Sequence, residues 1–190
     1  MLNQRFPTIF GALVIFAGAL AGPTQAADEI DPAKVQVCGS CHGQNGVPLD
    51  PKTMPIIWGQ QQNFLVKQLH DYRASDRDNA IMATFAKGLK QEELRPAAAY
   101  FAAKAWPAKQ TAAAPAKEPE GMTTCQICHQ KDFVGGAPAP RLAGQSYEYL
   151  IKQMNAFADG TRTNSMDMAK IMQELSPEKR EAFAHYIASL

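Results

Sequence analysis

The sequence predicts an all-α fold built as two tandem helical lobes. Three observations carry that expectation. Apolar residues recur at helical spacing, with few β-branched runs and no strand-like alternation of useful length. A set of short blocks occurs twice in the same order: Pro55-Ile-Ile-Trp-Gly59-Gln60 returns as Pro140-Arg-Leu-Ala-Gly144-Gln145, and Phe64-Leu65-Val-Lys67-Gln68-Leu69 as Tyr149-Leu150-Ile-Lys152-Gln153-Met154. The offset drifts only between 85 and 87 residues, which marks a duplicated unit. A Pro/Ala-rich stretch lies between the two copies.

The elements follow in order. Arg5, the apolar run Ile9 to Gly22 and the small residues ending at Ala26 read as an export signal over residues 1–26. The run is too short for a membrane anchor: fourteen helical residues reach about 21 Å against a hydrocarbon core of about 30 Å. Asp31-Pro32 starts a helix that runs into the first Cys pair, Asp as cap and Pro at the first helical position. A second helix fits Gln62 to Tyr72, with Phe64, Leu65, Gln68 and Leu69 on one face; its copy is Tyr147 to Phe157. Gln91 to Ala105 forms the last helix of the first lobe. Pro96 inside it predicts a late start or a kink, since an interior proline costs about 3 kcal/mol. The corresponding final helix begins at Ser176-Pro177-Glu178 and carries Phe183, Tyr186 and Ile187. Residues 107–121 form the linker, so the expected units are 27–106 and 122–190. Long Gly/Pro-rich loops, Gly43 to Gly59 and Gln130 to Gly144, follow the first helix of each unit, and loops of that size usually surround something functional.

Composition excludes little. There are 19 Lys and Arg against 18 Asp and Glu, and removing residues 1–26 takes away Arg5 alone, leaving 18 of each. A neutral chain offers no electrostatic reason to expect nucleic acid as a partner.

Chemistry is concentrated in the four cysteines and two of the four histidines. Cys38-Gly-Ser-Cys41-His42 recurs as Cys125-Gln-Ile-Cys128-His129. C-x-x-C-H is the attachment signature of c-type haem. On a helix, positions i, i+3 and i+4 share a face, so two thiols can meet two vinyl groups while the imidazole points at iron. Competing readings fit less well. A zinc site wants its Cys pairs about 15–20 residues apart, whereas 83 residues separate Cys41 from Cys125. Disulfides leave the following His unexplained, and a thioredoxin-like dithiol needs a βαβ context that is missing. Lobes of about 70–80 residues also bury too little apolar area to be comfortable without a staple, which a covalent haem in each lobe supplies.

The sixth iron ligand separates carrier from catalyst, and methionine raises the potential relative to histidine. Candidates are Met54 and Met82, then Met154, Met166, Met168 and Met172. Met82 and Met168 alone share a register, each seven residues before a Leu, 40 residues after His42 and 39 after His129. Met166 remains the rival of Met168, while Met154 and Met172 sit at core spacing. His70 and His185 have no counterpart in the other lobe and read as structural.

With these motifs the chain resembles the dihaem cytochrome c4 family, each lobe being similar to a class I cytochrome c, over nearly all of the sequence after residue 26. The resemblance implies His42 and Met82 on the first iron, His129 and Met168 on the second, and thioethers from Cys38, Cys41, Cys125 and Cys128. It implies electron transfer in the periplasm or at its membrane face, with a cytochrome bc1-type donor, a terminal oxidase or a flavoprotein dehydrogenase as partners. Trp58, where a small residue is usual, and Lys90, where a capping Ser is usual, depart from the pattern. Ile81-Met82, Ala86-Lys87-Gly88, Tyr100-Phe101 and Ala108-Lys109-Gln110 are also similar to the dihaem subunit of flavocytochrome c sulfide dehydrogenase. Two other functions therefore stay open: a haem subunit of a flavin-dependent dehydrogenase, and a dihaem oxidoreductase acting on peroxide or a sulfur compound.

Overall fold

A computed structural model describes residues 30–107 and 116–190, with Met1. The expected export signal, Met1 apart, and residues 108–115 of the expected linker lie outside the described residues. Among the described residues the α-helices fall in two sets of four, joined by long loops: α1 (Pro32–His42), α2 (Gln62–Ala74), α3 (Ala80–Gly88) and α4 (Leu94–Ala102), then α5 (Met122–His129), α6 (Tyr147–Ala158), α7 (Met166–Glu174) and α8 (Pro177–Ser189).

Local chemistry fixes the helix starts. Asp31 Oδ1 accepts from Ala33 N at 2.9 Å ahead of Pro32. Ser146, Ser165 and Ser176 cap α6, α7 and α8, and Asn79 caps α3. The proline at 96 delays α4 as expected: a 3₁₀ turn over Gln91–Glu93 precedes a helix that begins at Leu94, so Pro96 falls in the first turn, where a missing N–H costs nothing. With Lys90 in place of a capping Ser, Glu93 takes over. Its Oε2 accepts from Lys90 N at 2.8 Å, and its other oxygen pairs with Lys34.

In each set one long helix carries the packing, α2 against α3 and α4, and α6 against α7 and α8. The second core is the larger: Met122, Phe133, Leu150, Met154, Phe157, Met172, Phe183 and Ile187 are all buried, whereas the first centres on Ile30, Val35, Ala97 and Phe101. Trp58 packs beside that smaller core, with the Lys104 ammonium 5.8 Å from its ring centre. Its counterpart, Ala143, is buried in the larger one.

Where the repeated Gly-Gln pairs lie, the two sets meet. Gly59 N donates to Phe101 O at 2.9 Å and Gly144 N to Ile187 O at 3.1 Å, so each loop is stitched to the last helix of its own set. Gly59 has φ +66°, and a Cβ there would come within 2.9 Å of Trp106 N. Only glycine allows that approach. The next residue crosses over. Gln60 accepts from Arg141 N at 2.7 Å and donates to Arg141 O at 2.9 Å; Gln145 accepts from Ile56 N at 3.0 Å and donates to Ile56 O at 3.1 Å. Because Gln60 and Gln145, and Ile56 and Arg141, are repeat counterparts, the contact has approximate two-fold symmetry.

A polar cluster extends this seam. Arg77 is buried and donates to Gln68 Oε1 at 2.7 Å, Gln153 Oε1 at 2.9 Å and the Tyr149 hydroxyl at 2.9 Å. Arg162 mirrors it, donating to Gln153 Oε1 at 2.8 Å and Gln68 Oε1 at 3.2 Å. Each guanidinium lies over an aromatic ring of its own set, Arg77 over Tyr72 and Arg162 over Phe157.

Candidate haem-binding sites

Both C-x-x-C-H motifs end a helix, α1 at His42 and α5 at His129. The two cysteines and the histidine therefore project from one face, and all four thiols are free. Burial pushes the Cys38 and Cys125 thiols up, with a smaller push from the neighbouring Cys41 and Cys128.

Both histidines are buried and held in the same way. His42 Nδ1 donates to Pro55 O at 2.8 Å, and His129 Nδ1 to Pro140 O at 2.9 Å. A carbonyl can only accept, which fixes the tautomer and leaves Nε2 as the lone-pair nitrogen. Burial holds both imidazoles below the usual histidine range, against a smaller upward pull from that carbonyl bond. A neutral ring with its Nδ1 anchored is the form that binds iron.

Met82 and Met168 occupy the same place in their helices, the third residue of α3 and of α7. Their backbone N–H groups are received by the caps, Asn79 Oδ1 at 2.9 Å and Ser165 Oγ at 3.4 Å. Both are half-buried, and Met168 packs against the second core. The rival Met166 is the first residue of α7 and 86% exposed. Met154 and Met172 fill the core, and Met54 lies half-buried in the loop before Pro55. Exposed His70 contacts Gln91 Nε2 at 3.3 Å, and exposed His185 stacks on Tyr147 at 3.8 Å, so each has a local task.

The donor set fits a porphyrin. Among the described residues no three His, Cys, Asp or Glu side chains gather where they could hold a bare metal ion. Arg141, next to Pro140, has its Nε–H buried without a hydrogen-bond partner, while its guanidinium lies 4.7 Å over the Trp106 ring. Such an atom is costly unless an acceptor arrives, and a porphyrin brings two carboxylates.

The seam arginines Arg77 and Arg162 and the crossing roles of Gln60 and Gln145 were not anticipated from the sequence. The signal was there, since all four keep the 85-residue offset.

Comparison with known proteins gives a consistent result. The cytochrome c family model matches residues 113–190. A cytochrome c4 of Pseudomonas aeruginosa is 36% identical over 83% of this chain and 86% of its own. A thiosulfate dehydrogenase electron acceptor of Stutzerimonas stutzeri is 33% identical over 80% of this chain and 78% of its own. The solved structure of Acidithiobacillus ferrooxidans cytochrome c4 superposes with a TM-score of 0.72 at 30% identity, covering 82% of this chain and 99% of that one.

Proposed function

The chain belongs to the cytochrome c4 family, and from that premise we propose that it is a dihaem electron carrier of the periplasm, one covalent haem c in each lobe. The proposed units are 27–106 and 122–190, joined by 107–121, with residues 1–26 removed on export. Among the described residues no helix is long and apolar enough to cross a membrane.

One observation carries the residue assignment: a buried histidine fixed through Nδ1 on a proline carbonyl, followed 40 or 39 residues later in the chain by a methionine at the third position of a capped helix, occurs twice. On this reading Cys38 and Cys41 tether the first haem, and Cys125 and Cys128 the second. His42 and His129 would supply ligand nitrogens to the irons, and Met82 and Met168 ligand sulfurs. Bound haem supplies a one-electron couple, and a His-Met ligand pair leaves no open position for substrate. The residues around it hold the ligands still, so that little rearranges when an electron arrives or leaves. The cytochrome c4 relatives support the reading as a carrier. Redox proteins are its partners. The Stutzerimonas relative named as a thiosulfate dehydrogenase electron acceptor supports a second reading, in which a dehydrogenase is the donor.

The test is the Fe(III)-Met absorption of the purified protein, counted against two haems per chain. Two such signals are expected. Met168→Ala removes one and Met166→Ala neither. An unchanged spectrum in Met168→Ala transfers the role to Met166, and a haem that lacks the signal from the outset points to an oxidoreductase.

A further inference from the structure

The peptide group joining Pro55 to Ile56 has both polar atoms committed, and to different lobes. Its carbonyl accepts from His42 Nδ1 at 2.8 Å; its N–H donates to Gln145 Oε1, across the seam, at 3.0 Å. The peptide joining Pro140 to Arg141 repeats the arrangement. Its carbonyl accepts from His129 Nδ1 at 2.9 Å, and its N–H donates to Gln60 Oε1 at 2.7 Å. Each glutamine then returns a bond from Nε2 to the next carbonyl, Ile56 O at 3.1 Å or Arg141 O at 2.9 Å. This double contact fixes the amide orientation, because exchanging O and N would set donor against donor and acceptor against acceptor. Gln60 and Gln145 are each only 4% exposed, so water offers no ready substitute.

An amide's two poles share one conjugated system. Drawing on its N–H enriches its carbonyl oxygen, and hydrogen bonds in series strengthen one another by roughly 10–30% each. A stronger acceptor on the Nδ1–H of a ligating histidine makes the ring more basic and orients it, which favours the oxidised iron.

We infer that Gln60 and Gln145 are positioning residues acting across the seam, each tuning the proximal histidine of the opposite lobe: Gln60 sets His129 and Gln145 sets His42. The inference rests on these histidines being iron ligands, as proposed above. It makes lobe docking an electronic matter as well as a mechanical one. Each haem's potential depends on a side chain supplied by the other lobe.

The crossing is what a purely structural role would not produce. The experiment uses the full holoprotein as Gln60→Met and Gln145→Met, with each haem followed by its own NMR signals during a redox titration. Gln60→Met is expected to raise the second-lobe haem by about a threefold change in electron partition between the haems, about 28 mV at 59 mV per tenfold. The first-lobe haem stays in place, and the His129 Nδ1–H signal moves upfield. Gln145→Met gives the converse. Gln60→Glu, which keeps an acceptor for Arg141 N–H, lowers the second-lobe haem more than the first and serves if Gln60→Met loses haem. A shift confined to the mutated lobe, equal shifts of both haems, or no shift overturns the inference. So does the same crossed pattern from Arg77→Met, which loosens the seam without touching either chain of bonds. Failure of the underlying reading is seen separately, in the haem content and ligand signals of the unmodified protein.

Discussion

Arg77→Met tests how much of the lobe-to-lobe attachment resides in the buried seam. The guanidinium makes three hydrogen bonds, to Gln68 Oε1 at 2.7 Å and to Gln153 Oε1 and the Tyr149 hydroxyl at 2.9 Å each. Bonds to a charged group contribute about 1.5–3 kcal/mol each, but the three do not simply add. Gln68 Oε1 and Gln153 Oε1 keep bonds from Arg162, at 3.2 and 2.8 Å. The Tyr149 hydroxyl keeps none, and leaving one buried polar group unmet costs about 1–3 kcal/mol. Methionine refills the apolar stem, and removing one of two neighbouring cations relieves some repulsion. The expected net loss is about 2–3 kcal/mol. Lys67→Met is the comparison. Its ammonium reaches Asp71 at 2.5 Å and Asn164 O at 2.9 Å, but the side chain is 47% exposed, so about 0.2–1 kcal/mol is expected. Guanidinium chloride unfolding of the holoprotein, followed by circular dichroism and haem absorbance together, measures both. A loss below about 0.5 kcal/mol for Arg77→Met, or an equal loss for Lys67→Met, refutes the reasoning.

Two further outcomes follow from the same packing. Burial pushes the Tyr149 phenol up, but the charges of Arg77 and then Arg162 outweigh it and hold it below its ordinary value of 10.0. Between the folded pKa and 10.0 the unfolded chain binds more protons than the folded one, so this phenol adds stability as pH rises, fully present above 10.0 and lost as pH falls through the folded pKa. The stability gap between the natural protein and Tyr149→Phe therefore widens from pH 7 towards 10.0, and a constant gap contradicts the assignment. Tyr72, pushed up to about 12 mainly by burial, titrates above that window. Replacing Cys38 and Cys41 together by Ala leaves one haem per chain and lowers helicity more than replacing Cys125 and Cys128, because the first core has fewer buried side chains to hold it without the cofactor. Equal losses of circular dichroism in the two double variants would show the cores to be equivalent.

The candidate haem-binding framework was legible because the chemistry proposed for it demands fixed spacing. Cys38, Cys41 and His42 can serve one porphyrin only at i, i+3 and i+4, so the pattern survives in the bare sequence. Helices that start at a proline were legible for the same kind of reason: Asp31-Pro32 and Ser176-Pro177 have one cheap conformation. The short helices α3 and α7 were not anticipated, although Met82 and Met168 were placed by register. Nine residues give little periodicity to read, and the real signal is the cap three residues before each methionine, Asn79 and Ser165. The seam was hidden for a different cause. Gln60 reads as an ordinary polar loop residue, and only the fold shows its amide standing in for a backbone strand across 81 residues of chain.

Duplication makes a particular difficulty at such a seam, since a two-fold contact doubles every charge placed on it. Arg77 and Arg162 keep the repeat register and share the same two acceptors, so two guanidiniums face one another; burial and then the Arg77 charge push Arg162 down to about 10. A strictly symmetric seam would offer either no carboxylate or two. Among the described residues one carboxylate, Asp71, bonds into this cluster. Asp71 takes Asn164 Nδ2 at 2.6 Å and Lys67, while its counterpart is Ala156; Tyr149 gives Arg77 its hydroxyl, while its counterpart is Phe64. Where they touch, the lobes therefore keep Gln60 and Gln145, Gln68 and Gln153, and Arg77 and Arg162 in common, and differ at Asp71 against Ala156 and at Phe64 against Tyr149. A chain carrying the second lobe twice would keep both haem motifs, yet it would set two guanidiniums and two phenols together with no carboxylate between them.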